Sequence, residues 1–294
     1  MKLINFYNQV VNFGRLADPR KDKQKIKSFP DSAILFGKPD LEIKKIMVGI
    51  DIEVAELLLA DRLRQKEGLD LVIAHHPEGK AYAGLPEVME LQIDLLTQAG
   101  VAQKTATRLL RERMAQVERR VLPQNHTRPV DAARLLNMPF MNMHTPADNH
   151  VYRYLEAIFK QKKNRAGLLQ DVVKILNTIP EYQIAAEFNT GPRIILGNPR
   201  RPVGKILFEM TGGTEGSVDV FDKLYKAGVR TLISMHLSEE HFKKVKDANL
   251  NVVIAGHISS DTLGLNLLLD NIEKYAKQNF EVIGCSGFTR IRRK

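Results

Sequence analysis

The chain has 294 residues, 44% of them apolar and 27% charged, with a mean hydropathy of -0.24; this is a globular composition, long enough for one large core or two smaller ones, and not that of a disordered chain. No apolar run reaches the roughly 18–20 residues needed to cross a bilayer. The first residues lack an apolar stretch ahead of a small-residue cleavage site, and the single cysteine, Cys285, has no disulfide partner, so a cytoplasmic protein without membrane contact is expected. Lys and Arg outnumber Asp and Glu by 44 to 34, a net charge of +10 that favours polyanions or phosphorylated substrates without choosing between them. The excess is local, in Arg20–Lys27, Arg108–Arg120, Lys160–Arg165 and Arg290–Lys294, and each segment reads first as a solvated face or a frayed end. Aromatics are 6% with no tryptophan, so no interleaved base-stacking platform is visible.

In chain order, apolar runs alternate with amphipathic stretches, the pattern of β-α-β units. Lys45–Ile50 is a predicted strand and Val54–Gln65 a helix, with Ala55, Leu58, Leu59 and Leu63 at helical spacing. Leu69–Ala74 is a second buried strand, Pro86–Gln98 and Thr105–Val121 are helices, Pro139–Met143 is a short strand, and Val151–Phe159 and Leu168–Asn177 are helices. A second block starts near Ile184. It has strands at Arg193–Leu196, Lys205–Met210, Thr231–Ser234 and Asn251–Ala255, helices at Val218–Lys226, Glu239–Asp247 and Thr262–Lys277, and a last strand, Phe280–Gly284, that closes its sheet. No internal repeat is legible; the blocks are alike in type but not in sequence. The expected fold is α/β with two lobes, 1–183 and 184–294.

The residues suited to chemistry fall in three clusters, each just after a predicted strand, where open α/β sheets bind ligands. His75-His76-Pro77 follows LDLVIA. Adjacent imidazoles on an extended segment point to opposite sides, so the pair can serve two metal ions, or one ion and a supporting partner. His144-Thr-Pro-Ala-Asp148 follows PFMNM, with Pro146 breaking a regular helix and His150 a bystander. Gly256-His257-Ile-Ser-Ser-Asp261 follows NVVIA; Gly256 permits a sharp turn, Ser259 or Ser260 is a natural helix cap, and Asp261 is expected in the first turn. Any one of these is more often a hydrogen-bonded structural histidine. Together they offer four imidazoles and two carboxylates, a mixed N/O set suited to Zn, Mn, Fe or Ni, too many for one open catalytic ion and about right for two.

In that order, DLVIAHHP, HTPAD and AGHISSD resemble the signature of the Nif-three-like proteins, also known as dinuclear metal centre or GTP cyclohydrolase I type 2-like proteins. The flanks PDSAILFGKPDLEIKKIMVGIDI and GKILFEMTGGTEG agree, so the resemblance runs from about Phe29 to Gly287. It implies two α/β lobes facing a shared metal cleft, two divalent ions, and ring-shaped assembly, usually a homohexamer. It implies the metal ligands residue by residue: His75 and His76 as the paired ligands, Asp148 as a binding or bridging carboxylate with His144 beside it, and His257 as the late histidine. Asp261 stands where the family usually has Glu, one methylene shorter, and Glu78-Gly79 where it usually has apolar residues. Basic surface is added around Thr105–Arg128 and Lys160–Arg165.

Glu78, His236 and Glu240 are the nearest candidates for proton transfer. His236 and His241, in SMHLSEEH, suit acid/base work or a phosphate contact, although a surface helix start capped by Ser238 is the simpler reading. TGGTEG lacks the Lys-Ser/Thr end of a P-loop and reads first as a tight turn, and GCSG shows no nucleophile spacing. The leading expectation is a metal-dependent hydrolase of unknown, nucleotide or phosphorylated substrate. The alternative is a ring-forming metal-containing scaffold that binds nucleic acid or protein without turnover.

Overall fold

The computed structural model describes residues 1–164 and 166–293. The last residue of the basic segment Lys160–Arg165 and the last of the tail Arg290–Lys294 lie outside the described residues. The elements run α1 (Leu3–Ala17), β1 (Ala33–Phe36), β2 (Lys45–Gly49), α2 (Val54–Glu67), β3 (Leu71–Ala74), α3 (Gly79–Ala83), α4 (Leu85–Val88), α5 (Leu91–Ala99), α6 (Gln103–Val121), α7 (Arg128–Leu135), β4 (Phe140–Asn142) and α8 (Thr145–Lys160). They continue α9 (Leu169–Leu176), α10 (Pro180–Glu187), β5 (Arg193–Leu196), β6 (Lys205–Glu209), α11 (Phe221–Lys226), β7 (Val229–Ser234), α12 (Glu239–Asp247), β8 (Asn251–Ile254), α13 (His257–Ala276) and β9 (Glu281–Cys285).

The strands form two sheets, β1-β4-β3-β2-β9 and β5-β8-β7-β6, parallel except for the antiparallel edge strands β1 and β5. The central strands are apolar on both faces because helices cover both sides: every residue of β3 and β4 is buried. One expectation fails here. The final strand pairs Lys45–Gly49 with Glu281–Cys285 and so closes the first sheet, not the second. The chain returns because α13 spans both cores, with Leu265, Leu268, Leu269 and Ile272 in the first and Leu263 in the second.

The structure also contains the repeat that the sequence hides. Leaving β9 aside, both sheets have one strand order and one antiparallel edge. Register makes the match specific: Ala74 pairs Asn142 and Gly49 in the first sheet, while Ser234 pairs Ile254 and Glu209 in the second. His76 therefore corresponds to His236, each two residues past that position, and the His-x-x-x-Asp of α8 to that of α13. Strand pairing and burial need apolar residues at these positions rather than particular ones, so the likeness survives without sequence identity.

Two helix starts differ from expectation. Pro146 does not interrupt the HTPAD segment but lies in the first turn of α8, where its missing N–H is one that helix geometry leaves unpaired anyway. α13 begins at His257, capped by Gly256 at φ +112°, so Ser259 and Ser260 lie inside the helix and Asp261 one turn further in than expected. A side chain at Gly256 would be strained there, and its Cβ would come within 2.5 Å of Ser259 Oγ.

Candidate metal centre

Three elements deliver the three clusters to one point. β3 ends at Ala74, so His75 and His76 follow at its carboxyl end; α8 carries His144 at its N-cap and Asp148 a turn later; α13 carries His257 and Asp261 at the same spacing. Positions i and i+4 share a helix face, which aims each His–Asp pair in one direction. The His75 and His144 ring centroids are 4.9 Å apart, those of His75 and His76 5.2 Å, and those of His76 and His257 5.1 Å. His75, Asp148 and Asp261 are buried, while His76 and His257 stand at the mouth.

Spacing separates this cluster from a hydrogen-bonded network. Asp261 lies between the two sides, Oδ1 3.4 Å from His75 Nε2 and Oδ2 3.5 Å from both His76 Nε2 and His257 Nε2. Asp148 lies 3.4 Å from His75 Nε2 and 3.7 Å from His144 Nε2. His75 Nε2, Asp148 Oδ1 and both Asp261 oxygens are buried without any hydrogen-bond partner. Orphaned polar atoms of this kind are rare because each costs about 1–3 kcal/mol. Ligands about 2.1 Å from a shared tetrahedral ion stand about 3.4 Å from one another, so the separations are those of a coordination shell. Three overlapping triads each bring three donor atoms within 4.8 Å of one another: His75, His76 and His144; His76, His257 and Asp261; and His75, Asp148 and Asp261. The residues present fit divalent metal.

The outer layer points each ring inward. His75 donates from Nδ1 to the Met143 carbonyl at 3.2 Å, His144 Nδ1 pairs with Asp31 Oδ2 at 2.8 Å, and His76 Nδ1 pairs with Asp51 Oδ1 at 2.7 Å. In each ring the hydrogen bond at Nδ1 leaves Nε2 facing the centre. Asp31 is fully buried and also accepts from Thr145 Oγ1 at 2.6 Å. Asp31 and Asp51 were missed because neither lies in a histidine motif. Asp51, two residues past the end of β2, had a usable signal in its strand-end position. Without metal, charge pairing takes over. Burial works against protonating His75, but Asp261 and Asp148 outweigh it and raise His75 to about 10; burial is likewise overcome at His76, raised to about 9 by Asp261 and Asp51. Asp261 is held well below the usual carboxylate range, against its burial, by His75, His76 and His257.

A cavity of about 100 Å³ opens beside the cluster, with His144, Asp148, His257 and Asp261 at one end and the ends of β6 and β7 at the other. His236 enters it 4.8 Å from the His257 ring, with Nδ1 3.6 Å from Glu215 Oε1. Glu215 also accepts from the Ser238 N–H at 2.6 Å, and these contacts hold it at about 2 in spite of its burial. TGGTEG is thus the turn that brings Glu215 to the cavity. Glu78 is half-buried and pushed up to about 7 by burial, Glu53 and Asp51. Glu240 is exposed on α12 and does not line the cavity.

The chain is 30% identical to a NIF3 superfamily protein from Sphaerobacter thermophilus, over 95% of this chain and 97% of that one, with a TM-score of 0.78. It is also similar in fold to HcgD from Methanocaldococcus jannaschii (14% identity, 97% of each chain, TM-score 0.56) and to a protein from Thermus thermophilus (14% identity, 97% of each chain, TM-score 0.53). No family model matches the chain, and no curated protein matches it.

Proposed function

The chain belongs to the NIF3 superfamily, and from that premise we propose that it holds two divalent ions at the His/Asp cluster and works as a metal-dependent hydrolase. The observation that carries the reading is the set of four buried donor atoms with no hydrogen-bond partner, divided between triads that share Asp261. The residues that would hold the ions are His75, His76, His144, Asp148, His257 and Asp261, the last common to two of the triads. When bound, such ions acidify water and stabilise negative charge developing on a substrate.

The chain's own residues supply the rest. Asp31, Asp51 and the Met143 carbonyl hold three rings so that each Nε2 faces inward, which lowers the reorganisation needed on binding. His236, braced by Glu215, stands at the cavity beside the cluster and is the group placed to move a proton at its ring nitrogen. Glu78, which does not line the cavity, is pushed up to about 7 by burial, Glu53 and Asp51, so both its forms are populated near neutrality.

Protein purified without added metal and submitted to elemental analysis is expected to carry about two ions per chain. Absence of metal after mild purification overturns the reading. Metal-loaded protein should hydrolyse a phosphoester or cyclic amide, and His76→Ala should abolish turnover with the circular dichroism unchanged. The same reading carries a homohexameric ring in the cytoplasm, for which light scattering at six times the chain mass is the check.

A further inference from the structure

The net charge of +10 suggests a phosphate-binding pocket, but the cavity beside the cluster has the opposite character: among the described residues, no lysine or arginine lines it. Its apolar walls include Leu95, Phe208, Met210 and Met235, and its acidic groups away from the metal-ligand cluster are Glu209 and Glu215, with His236 and His241 beside Glu215. Glu215 is occupied by Ser238, His236 and His241. Glu209, the last residue of β6, is different: it is half-buried, lines the cavity, and no described residue hydrogen bonds or pairs with its side chain. Register places it where the first sheet has Gly49, so the acid is particular to the second sheet.

A carboxylate that no side chain of the protein pairs is free to take a charge-assisted hydrogen bond from a cationic ligand. Burial and Glu215 push Glu209 up to about 7, and a cation beside it would reverse both effects. The cavity holds something close to a single substituted ring. The basic residues lie elsewhere: Arg108, Arg111, Arg119 and Arg120 are exposed on α6, and Arg290, Arg292 and Arg293 pair with carboxylates of α10 and α13.

We propose that this cavity binds the non-reacting part of the substrate, and that this part is an apolar or aromatic ring bearing a cationic N–H donor of the amine or amidine class, held by Glu209. The inference rests on the proposed function only in taking the cavity to belong to the substrate. An anionic group on the same substrate is left to the metal end, away from the carboxylates of Glu209 and Glu215.

The probes are benzamidine and benzoate, rings of like size and opposite charge. Binding is measured by calorimetry and ligand-observed NMR on the full chain, first with metal removed by chelator and then metal-loaded. In the chelated protein benzamidine should bind saturably and benzoate should not, and Glu209→Gln should weaken benzamidine by about tenfold or more. Benzoate binding as tightly as benzamidine in the chelated protein overturns the proposal, as does an unchanged benzamidine affinity in a folded Glu209→Gln chain. Should that variant fail to fold, the comparison of the two probes on the unsubstituted chain decides alone. Because the decisive arm contains no metal, a chain without ions would sink the hydrolase reading and leave this one standing, and the converse holds.

Discussion

Asp31 lies outside every histidine motif, yet its buried carboxylate holds His144 and Thr145 together. Removing its charge while keeping its shape should loosen the tautomer and orientation of His144 without emptying the site. Asp31→Asn is expected to lower metal affinity about 10–100-fold, read by competition with a chelator, with the ion count restored at saturating metal. Glu209 supports a prediction on stability. Its folded pKa, about 7, lies above the unfolded value of 4.5, with Glu215 and His236 as the charged groups facing it. Below 4.5 both states are protonated; between 4.5 and 7 the unfolded chain loses the proton first, so the group's contribution to stability falls as pH rises through that window. Glu209→Gln should therefore leave Tm unchanged near pH 4 and raise it by about 2–4 °C at pH 8, by scanning calorimetry.

At the scale of elements, α8 and α13 matter most, since each carries one His–Asp pair of the centre. They approach so closely at Gly264 that an added Cβ would stand 2.5 Å from the Ala147 carbonyl oxygen. Alanine would gain about 1 kcal/mol in helix propensity. A backbone carbonyl cannot rotate away as a side chain can, so overpacking of up to about 3 kcal/mol should win. Gly264→Ala is expected to lower the urea midpoint. Because the helices must separate, it should also weaken ion binding, which a surface alanine would not do. The Pro146 start of α8 teaches the same lesson about context: proline breaks a helix in its middle and begins one in its first turn, and the sequence alone did not say where the turn lay.

For the whole molecule, the two sheets are joined by more than the connecting chain. β9 returns to the first sheet after the second is complete, and the tail then runs back over α13, with Arg290 on Asp270 and Glu273, Arg292 on Glu273, and Arg293 on Glu181. A basic tail that reads as a frayed end is a half-exposed strap in its described part, because Glu181 and Glu273 are buried acids that need counter-charge. Ending the chain at Thr289 should cost about 3–5 kcal/mol by leaving those acids unpaired, measured by urea unfolding of the two chain lengths. The site depends on this closure, as His257 and Asp261 lie at the start of the helix the strap holds.

The sequence by itself determined the α/β class, most central strands, and the six residues that meet at the cluster. Buried parallel strands must be apolar on both faces, which makes them legible, and ligand-bearing residues at their carboxyl ends stand out against that background. Tertiary structure decided the rest. Asp31 reaches His144 across 113 positions of chain, β9 chose β2 over its own block, and the matching strand orders share only the His76–His236 and His-x-x-x-Asp positions, whose equivalence strand register alone reveals. It also decided that the charge at the cavity is opposite in sign to the charge of the chain, since net charge counts residues while a pocket is defined by the few that fold around it.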